Sequence, residues 1–323
     1  MKAAIVTAAG KVPAYADFTA PEPASGEVLI RVSAAALSHV TKARAAGTHY
    51  SSLPVYPFVV GLDGVGRRQD GSRLLFLLPR APFGGMAEQT VVNASHCVAV
   101  PDGLDDVMAA AIANPGMSSW AALKERAKLL PGENVLVNGA TGSSGRLAVQ
   151  IARHLGAKKI IATGRNGGVL NGLKALGADV TISLHQDGDA LDAAFKKEFG
   201  GDGVDIVLDY LWGPSAERLL GAAAKYGKDD VPIRFVQIGS IGGQTIPLAA
   251  TTIRSSPLQL IGSGLGSVPF GRMCNAIAEL FQAAVAQRFE LACKTVPLAD
   301  VASHWAMDSA AARTVFVTEA LAR

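Results

Sequence analysis

Apolar and polar positions follow two different rhythms along the 323-residue chain. Up to about residue 115, short apolar runs are broken by glycine, proline and acidic turn residues. They predict strands at Lys2–Thr7, Glu27–Ala34, Phe58–Val65, Arg73–Leu78 and Ala87–Val92, with one short helix at Ser38–Ala46. Spacing of this kind predicts a compact antiparallel or barrel-like unit.

From residue 116 the rhythm changes. Strand-like runs at Asn134–Asn138, Lys159–Thr163, Val180–Ser183, Val204–Asp209, Phe235–Ile238 and Leu258–Gly262 alternate with helical patterns. The helices fall near Arg146–Leu155, Val169–Leu176, Asp189–Glu198 and Ser215–Ala224. The strands are apolar throughout, as in a sheet covered on both faces. This alternation predicts an α/β fold with a doubly wound parallel sheet. After Gly264 come a helix, Phe270–Gln287, and two strands, Lys294–Pro297 and Thr314–Val317, that do not continue the rhythm. They are expected to return to the N-terminal unit. The expected domains are 1–115 with 263–323, discontinuous and mostly β, and 116–262.

The stretch VLVNGATGSSGRLAVQIARHLGA, Val135 to Ala157, joins an apolar strand to an amphipathic helix through a glycine-rich turn. That turn, Gly139-Ala140-Thr141-Gly142-Ser143-Ser144-Gly145, has the strand–turn–helix context of a dinucleotide fold. Small residues let backbone approach a pyrophosphate, and the helix N-terminus offers unpaired N–H groups and a positive dipole end. Gly145 would let the helix pack on the strand. At the end of the next strand an NAD site usually carries an acid for the ribose 2′-hydroxyl. Here Gly164, Arg165 and Asn166 stand instead. Arginine clamps a phosphate bidentately, so NADPH is favoured over NADH.

Composition narrows the classes. Hydrophobic residues are 49%, charged residues 18% and the net charge +3 without a basic run, which asks for neither nucleic acid nor an anionic membrane. Cys97, Cys274 and Cys293 are odd in number and far apart, which fits structural thiols in a reducing compartment. The start lacks the apolar core of a signal peptide and no 18-residue apolar run is free of polar breaks. A cytoplasmic protein is expected.

The order of several motifs carries a resemblance. MKAAIV, PEPASGEVLIRVSAAAL, AAGTHYSSLPVYPFVVGLDGVG, FGGMAEQTVV, NPGMSSWAAL, the glycine turn with IIATGR, LKALGADVTI, VDIVLDYLWG and FVQIGSIGG follow one another over nearly the whole chain. In this the chain resembles the zinc-independent quinone oxidoreductase branch of the medium-chain dehydrogenase/reductase family. The resemblance implies a Rossmann domain between two pieces of a GroES-like catalytic domain, which explains why the glycine turn sits mid-chain. Zinc members of the family have cysteine at the position of Ser38 and His-Glu where this chain has Leu62-Asp63. Ser38 and Leu62 cannot ligate zinc, and the cysteine-rich structural zinc lobe is missing between Arg67 and Gly84. No metal is expected.

The resemblance also places Ser118 and Ser119, Gly239 and Ser240, and the glycine-rich stretch Gly262 to Ser267, including Gly264, near the nicotinamide. Tyr50 matches a tyrosine bordering the substrate cleft. The chemistry implied is hydride transfer from NADPH to a quinone or α,β-unsaturated carbonyl, with charge developing on an oxygen that needs a donor. Tyr50 and Ser38 are the candidates, with His49 behind them. Each has a plainer reading: Tyr50 as loop packing, Ser38 as a helix N-cap, His39 and His49 as surface residues. Asp209 and Tyr210 fit either a cofactor contact or a strand-end turn. Other functions stay open: an enoyl-thioester reductase, a sensor or structural NADPH-binding protein with little turnover, and a short-chain dehydrogenase-like fold. The residues ahead of the glycine motif and the absence of a convincing YxxxK argue against the last. Relatives of this kind are often dimers, and the strand near Leu258–Gly262 is the expected sheet edge, so a homodimer is expected.

Overall fold

A computed structural model describes residues 1–52, 55–306 and 312–319. The chain divides into two compact units, Met1–Asn114 with Ile277–Arg323, and Pro115–Ala276. The divisions fall inside helices α2 (Asp106–Ala121) and α8 (Phe270–Gln287). The change of apolar rhythm predicts the second division at 263, ahead of α8 rather than inside it.

The first unit opens with β1 (Lys2–Val6), β2 (Ala14–Asp17) and β3 (Glu27–Ala36), then α1 (His39–Ala45). Next come β4 (Phe58–Val59), β5 (Asp63–Arg67), β6 (Arg73–Leu77), β7 (Gln89–Asn93) and β8 (Cys97–Ala99). The single strand expected over Phe58–Val65 is two strands in different sheets: β4 pairs β1, whereas β5 pairs β3 and β6. Gly61 causes the break. Its φ is +106°, and a Cβ there would lie 2.8 Å from Met86 N, so the backbone turns where only glycine fits. Ala87 is an isolated bridge to Ala3 rather than the start of β7. The apolar pattern predicts no helix over α2. That helix is buried on most sides and contains Pro115, so no amphipathic period marks it.

In the second unit strands and helices alternate as the apolar rhythm predicts. The strands are β9 (Asn134–Asn138), β10 (Lys159–Gly164), β11 (Val180–Ser183), β12 (Ile206–Asp209), β13 (Ile233–Gln237) and β14 (Leu258–Gly262). Between them run α3 (Ser143–His154), α4 (Gly167–Gly172), α5 (Gly188–Gly200), α6 (Gly213–Tyr226) and α7 (Ala250–Arg254). All strands are parallel, in the order β11-β10-β9-β12-β13-β14. Leu136, Ile161, Phe195, Phe199, Val207 and Phe235 share one fully buried core cluster. Each such side chain stabilises the fold by roughly 1.5–3 kcal/mol. Chain order reverses between β9 and β12, and in sheets of this kind ligands bind beyond the carboxyl ends of the strands at that point.

The chain then returns through β15 (Cys293–Pro297), α9 (Val301–His304) and β16 (Arg313–Val317). β16 pairs antiparallel with β3, completing a seven-stranded sheet ordered β15-β16-β3-β5-β6-β8, with β7 also on β3. The first unit is therefore discontinuous in sequence.

Candidate functional site

The glycine turn leaves β9 at Asn138 and enters α3. Gly139 takes φ +90°, open to glycine at no steric cost. A Cβ on Gly145 would overlap Ala140 Cα, and one on Gly164 would overlap the Thr141 side chain. These glycines bring α3 and β10 into close contact with the turn. Gly142 differs: a Cβ there would meet only Gly139 O, at 3.9 Å. It is the N-cap of α3 and no side chain caps that helix. Open space above first-turn amides without a side-chain cap, at the positive end of a twelve-residue helix, fits a pyrophosphate.

A polar relay lies under the turn. Thr163 Oγ1 donates to Asn138 Oδ1 at 2.7 Å and accepts from Gly139 N at 3.3 Å. Asn138 Nδ2 donates to Asp209 Oδ1 at 2.8 Å and to Ser215 Oγ at 3.0 Å. Asp209 also accepts from the amides of Leu211 and Trp212 at 3.0 and 3.1 Å. Burial pushes the Asp209 carboxyl up from its ordinary value, against the pull of the Leu211, Asn138 and Trp212 hydrogen bonds. The relay links the ends of β10, β9 and β12 to the start of α6. The sequence signal for Asn138 is a polar residue ending an apolar strand.

Beside it, Ser119 Oγ lies 2.7 Å from the Tyr210 phenol oxygen and in reach of Pro115 O (3.2 Å) and Ser144 O (3.3 Å). Either hydroxyl can donate in this pair, since the single Ser119 proton also has two carbonyl acceptors in reach. Burial pushes the Tyr210 phenol up to about 12, against its hydrogen bonds with Ser119 and Ser118, so it stays protonated. Ser119 is thus brought to the first turn of α3. Ile238 N and Gly239 N both donate to Asp209 O, at 2.8 and 3.1 Å. A Cβ on Gly239 would lie 2.6 Å from Tyr210 O, which leaves room only for glycine. Ser240 Oγ accepts from Gln244 Nε2 at 3.0 Å. Gly264 N donates to Ser267 Oγ at 2.8 Å.

At the end of β10, Arg165 and Asn166 are exposed, and Asn166 Oδ1 caps α4 by accepting from Val169 N at 3.1 Å. Arg146, for which the motif pattern gives no signal, is half-buried, and its Nε donates to Thr141 O at 3.3 Å.

Ser38 and Tyr50 belong to the first unit. Ser38 is buried and caps α1, its Oγ accepting from Thr41 N at 3.0 Å and meeting Thr41 Oγ1 at 2.8 Å. Tyr50 is 73% exposed, and its ring lies 4.1 Å from that of His49. His49 Nδ1 accepts from Ser51 N at 3.1 Å; burial, then the nearby Arg44, lower its pKa. His39 is exposed at the start of α1. Asp63 is fully buried, and neither carboxylate oxygen has a hydrogen-bond partner among the described residues. Burial pushes it up to about 6, against the charge of Arg313. An acid inside the apolar run VVGLDGVG was the sequence signal for this site.

Zinc does not fit here: the Ser38 hydroxyl is engaged by Thr41 and Leu62 has no ligating atom. Among the described residues, no three His, Cys, Asp or Glu side chains group as a metal site. No described helix is long and apolar enough to cross a membrane.

Residues 145–282 match the family model for zinc-binding dehydrogenases. The chain is 29% identical over 98% of its length to the whole of a probable NADPH-dependent quinone reductase of Emericella nidulans. It is 31% identical to human quinone oxidoreductase over 78% of this chain and 75% of that one. The chain belongs to the medium-chain dehydrogenase/reductase family, in its quinone oxidoreductase branch. Among solved structures of this branch, the quinone oxidoreductase of Thermus thermophilus, also solved in complex with NADPH, superposes with a TM-score of 0.82. That match covers 98% of this chain and 100% of the Thermus chain at 26% identity. As a member of the quinone oxidoreductase branch, the protein is an oxidoreductase.

Proposed function

We propose that this protein transfers hydride from NADPH to a quinone or an α,β-unsaturated carbonyl compound, without zinc. One observation carries the reading. An α3 N-terminus without a side-chain cap stands over a glycine cradle, and the neighbouring strand ends in Gly164-Arg165-Asn166 without an acid. When bound, NADPH supplies the hydride. The amides of Ser143, Ser144 and Gly145 take the pyrophosphate, and Arg165 takes the 2′-phosphate as a bidentate clamp. The backbone at Ser119, Gly239, Ser240 and Gly264 borders the nicotinamide end. An oxygen that gains charge as hydride adds to a conjugated carbon needs a donor already in place. Tyr50, on an exposed stretch of the first unit, is the first candidate donor. Ser38 holds its cap and serves as a secondary candidate.

The protein is further proposed to work as a homodimer. β14 is an edge of the six-stranded sheet and leaves Gln259 and Leu260 exposed, and such an edge tends to be paired or covered. Light scattering showing a monomer at micromolar concentration would remove this part.

The function is tested by absorbance at 340 nm with NADPH or NADH, a panel of quinones, enones and enals, and chelator throughout. NADPH oxidation well above NADH oxidation is expected, with no effect of chelator. Tight NADPH binding without oxidation by any acceptor would favour a sensor role instead.

A further inference from the structure

The glycine-rich segment 262–268 begins at the last residue of β14, and Ser263 N still donates to Gln237 O at 2.8 Å. Gly262, Gly264 and Gly266 are exposed, Gly266 takes φ +90°, and glycine loses more conformational freedom on ordering than any other residue. Inside the segment one serine closes the turn: Ser267 N and Oγ both donate to Gly264 O, at 3.0 and 2.8 Å.

Beyond the Ser263 ladder bond, side chains from elsewhere in the second unit fix the segment. A π-helical turn, Ala122–Ala127, follows α2. From it Arg126 Nε donates to Gly262 O at 2.8 Å and Nη1 donates to Ser267 O at 3.3 Å. One planar guanidinium therefore holds both ends of the glycine segment. Its neighbour Glu125 accepts from Arg272 Nη1 at 3.0 Å, tying the same turn to the start of α8. The segment's apolar side chains complete the attachment. Leu265 and Val268 pack with Met117, Ala121, Phe270 and Met273. Met117 and Ala121 flank Ser118 and Ser119 on α2, so this end of α2 packs against the glycine segment. Single π-helical turns within helices are frequent at functional sites.

We propose that Arg126 is a positioning residue, setting the glycine segment 262–268 against the nicotinamide end of the bound dinucleotide. This rests on the reading of that segment given under Proposed function. Arginine is required because its fork reaches two carbonyls at once, whereas a lysine ammonium is a single point.

The test compares two ligands on the purified protein. NADPH spans both ends of the site; 2′,5′-ADP carries only the adenosine end. Dissociation constants come from calorimetry, and hydrogen exchange follows the amides of 262–268. In Arg126→Leu, the NADPH dissociation constant is expected to rise about tenfold while that of 2′,5′-ADP stays within about twofold. Exchange in 262–268 is expected to accelerate. Arg126→Lys, which keeps the charge and one carbonyl contact, is expected to raise the NADPH constant about threefold, and it decides the matter if the leucine variant does not fold. Unchanged NADPH affinity and unchanged exchange would overturn the proposal. Parallel weakening of both ligands would also overturn it, since it would mark Arg126 as a general structural residue. If the unaltered protein binds neither ligand, the dinucleotide reading itself falls, and the proposal with it.

Discussion

The phenol oxygen of Tyr210 lies 2.7 Å from the hydroxyl oxygen of Ser119, although 91 positions separate them in sequence. The bond joins the end of β12 to α2, and Ser119 reaches on to Ser144 O at the start of α3. Three elements around the glycine turn are thereby held by one buried hydroxyl pair.

Removing either hydroxyl is expected to have unequal effects. Tyr210→Phe leaves Ser119 with its two carbonyls and costs about 1 kcal/mol of stability. Ser119→Ala takes a buried partner from the tyrosine and costs about 1–3 kcal/mol. A double-mutant cycle by thermal or urea unfolding is expected to give a coupling of about 1 kcal/mol. Additive losses would show that the two hydroxyls act separately.

Cofactor choice is expected to turn on Arg165. Arg165→Gln removes the fork proposed for the 2′-phosphate, so the NADPH dissociation constant should rise about tenfold while NADH stays within about twofold. Equal changes for both cofactors would assign Arg165 to the solvated surface.

Tyr50 is expected to affect turnover rather than binding or folding. Tyr50 is 73% exposed, so Tyr50→Phe should change the melting temperature little. If the phenol donates to the substrate oxygen, kcat/KM falls about tenfold or more, equivalent to ~1.4 kcal/mol of barrier, with NADPH affinity intact. Unchanged kinetics would take Tyr50 out of the mechanism.

Asp63 is expected to make stability fall as pH rises. Its ordinary pKa is 3.8 and burial pushes it up to about 6 in the fold. Below the lower value both folded and unfolded chains are protonated, and the group contributes no penalty. Between the two values the unfolded chain releases a proton that the fold retains, so stability is lost progressively, and above about 6 the loss is complete. The full loss is up to about 3 kcal/mol. Asp63→Asn should flatten this slope and be more stable than the parent at pH 8, with the gap closing at pH 4. Parallel melting curves for both proteins across this range would show that the carboxyl is ionised in the fold.

The second unit was legible from local pattern because each signal there is local. Continuous apolar runs of strand length, an amphipathic helix and a glycine turn sit next to one another in sequence. A parallel sheet covered on both faces writes that pattern directly into the chain, and β9, β11 and β14 begin and end where the apolar runs do. The cradle at Gly142 was legible for the same reason: a helix start and its glycines are contiguous.

Contacts made across distance were not legible. α2 is buried on most sides, so its apolar residues show no period. Phe58–Val65 has the composition of one strand, and only the close approach of Met86 at Gly61 divides it between two sheets. Ser119 with Tyr210, Asn138 with Asp209 and Arg126 with Gly262 are pairs whose members carry no mark of each other in the sequence. Local spacing determines periodicity and turns, and so the elements and the glycine cradle. Which buried hydroxyl, carboxylate or guanidinium finds a partner depends on which strand ends and helix turns the fold brings together, and that only the tertiary structure decided.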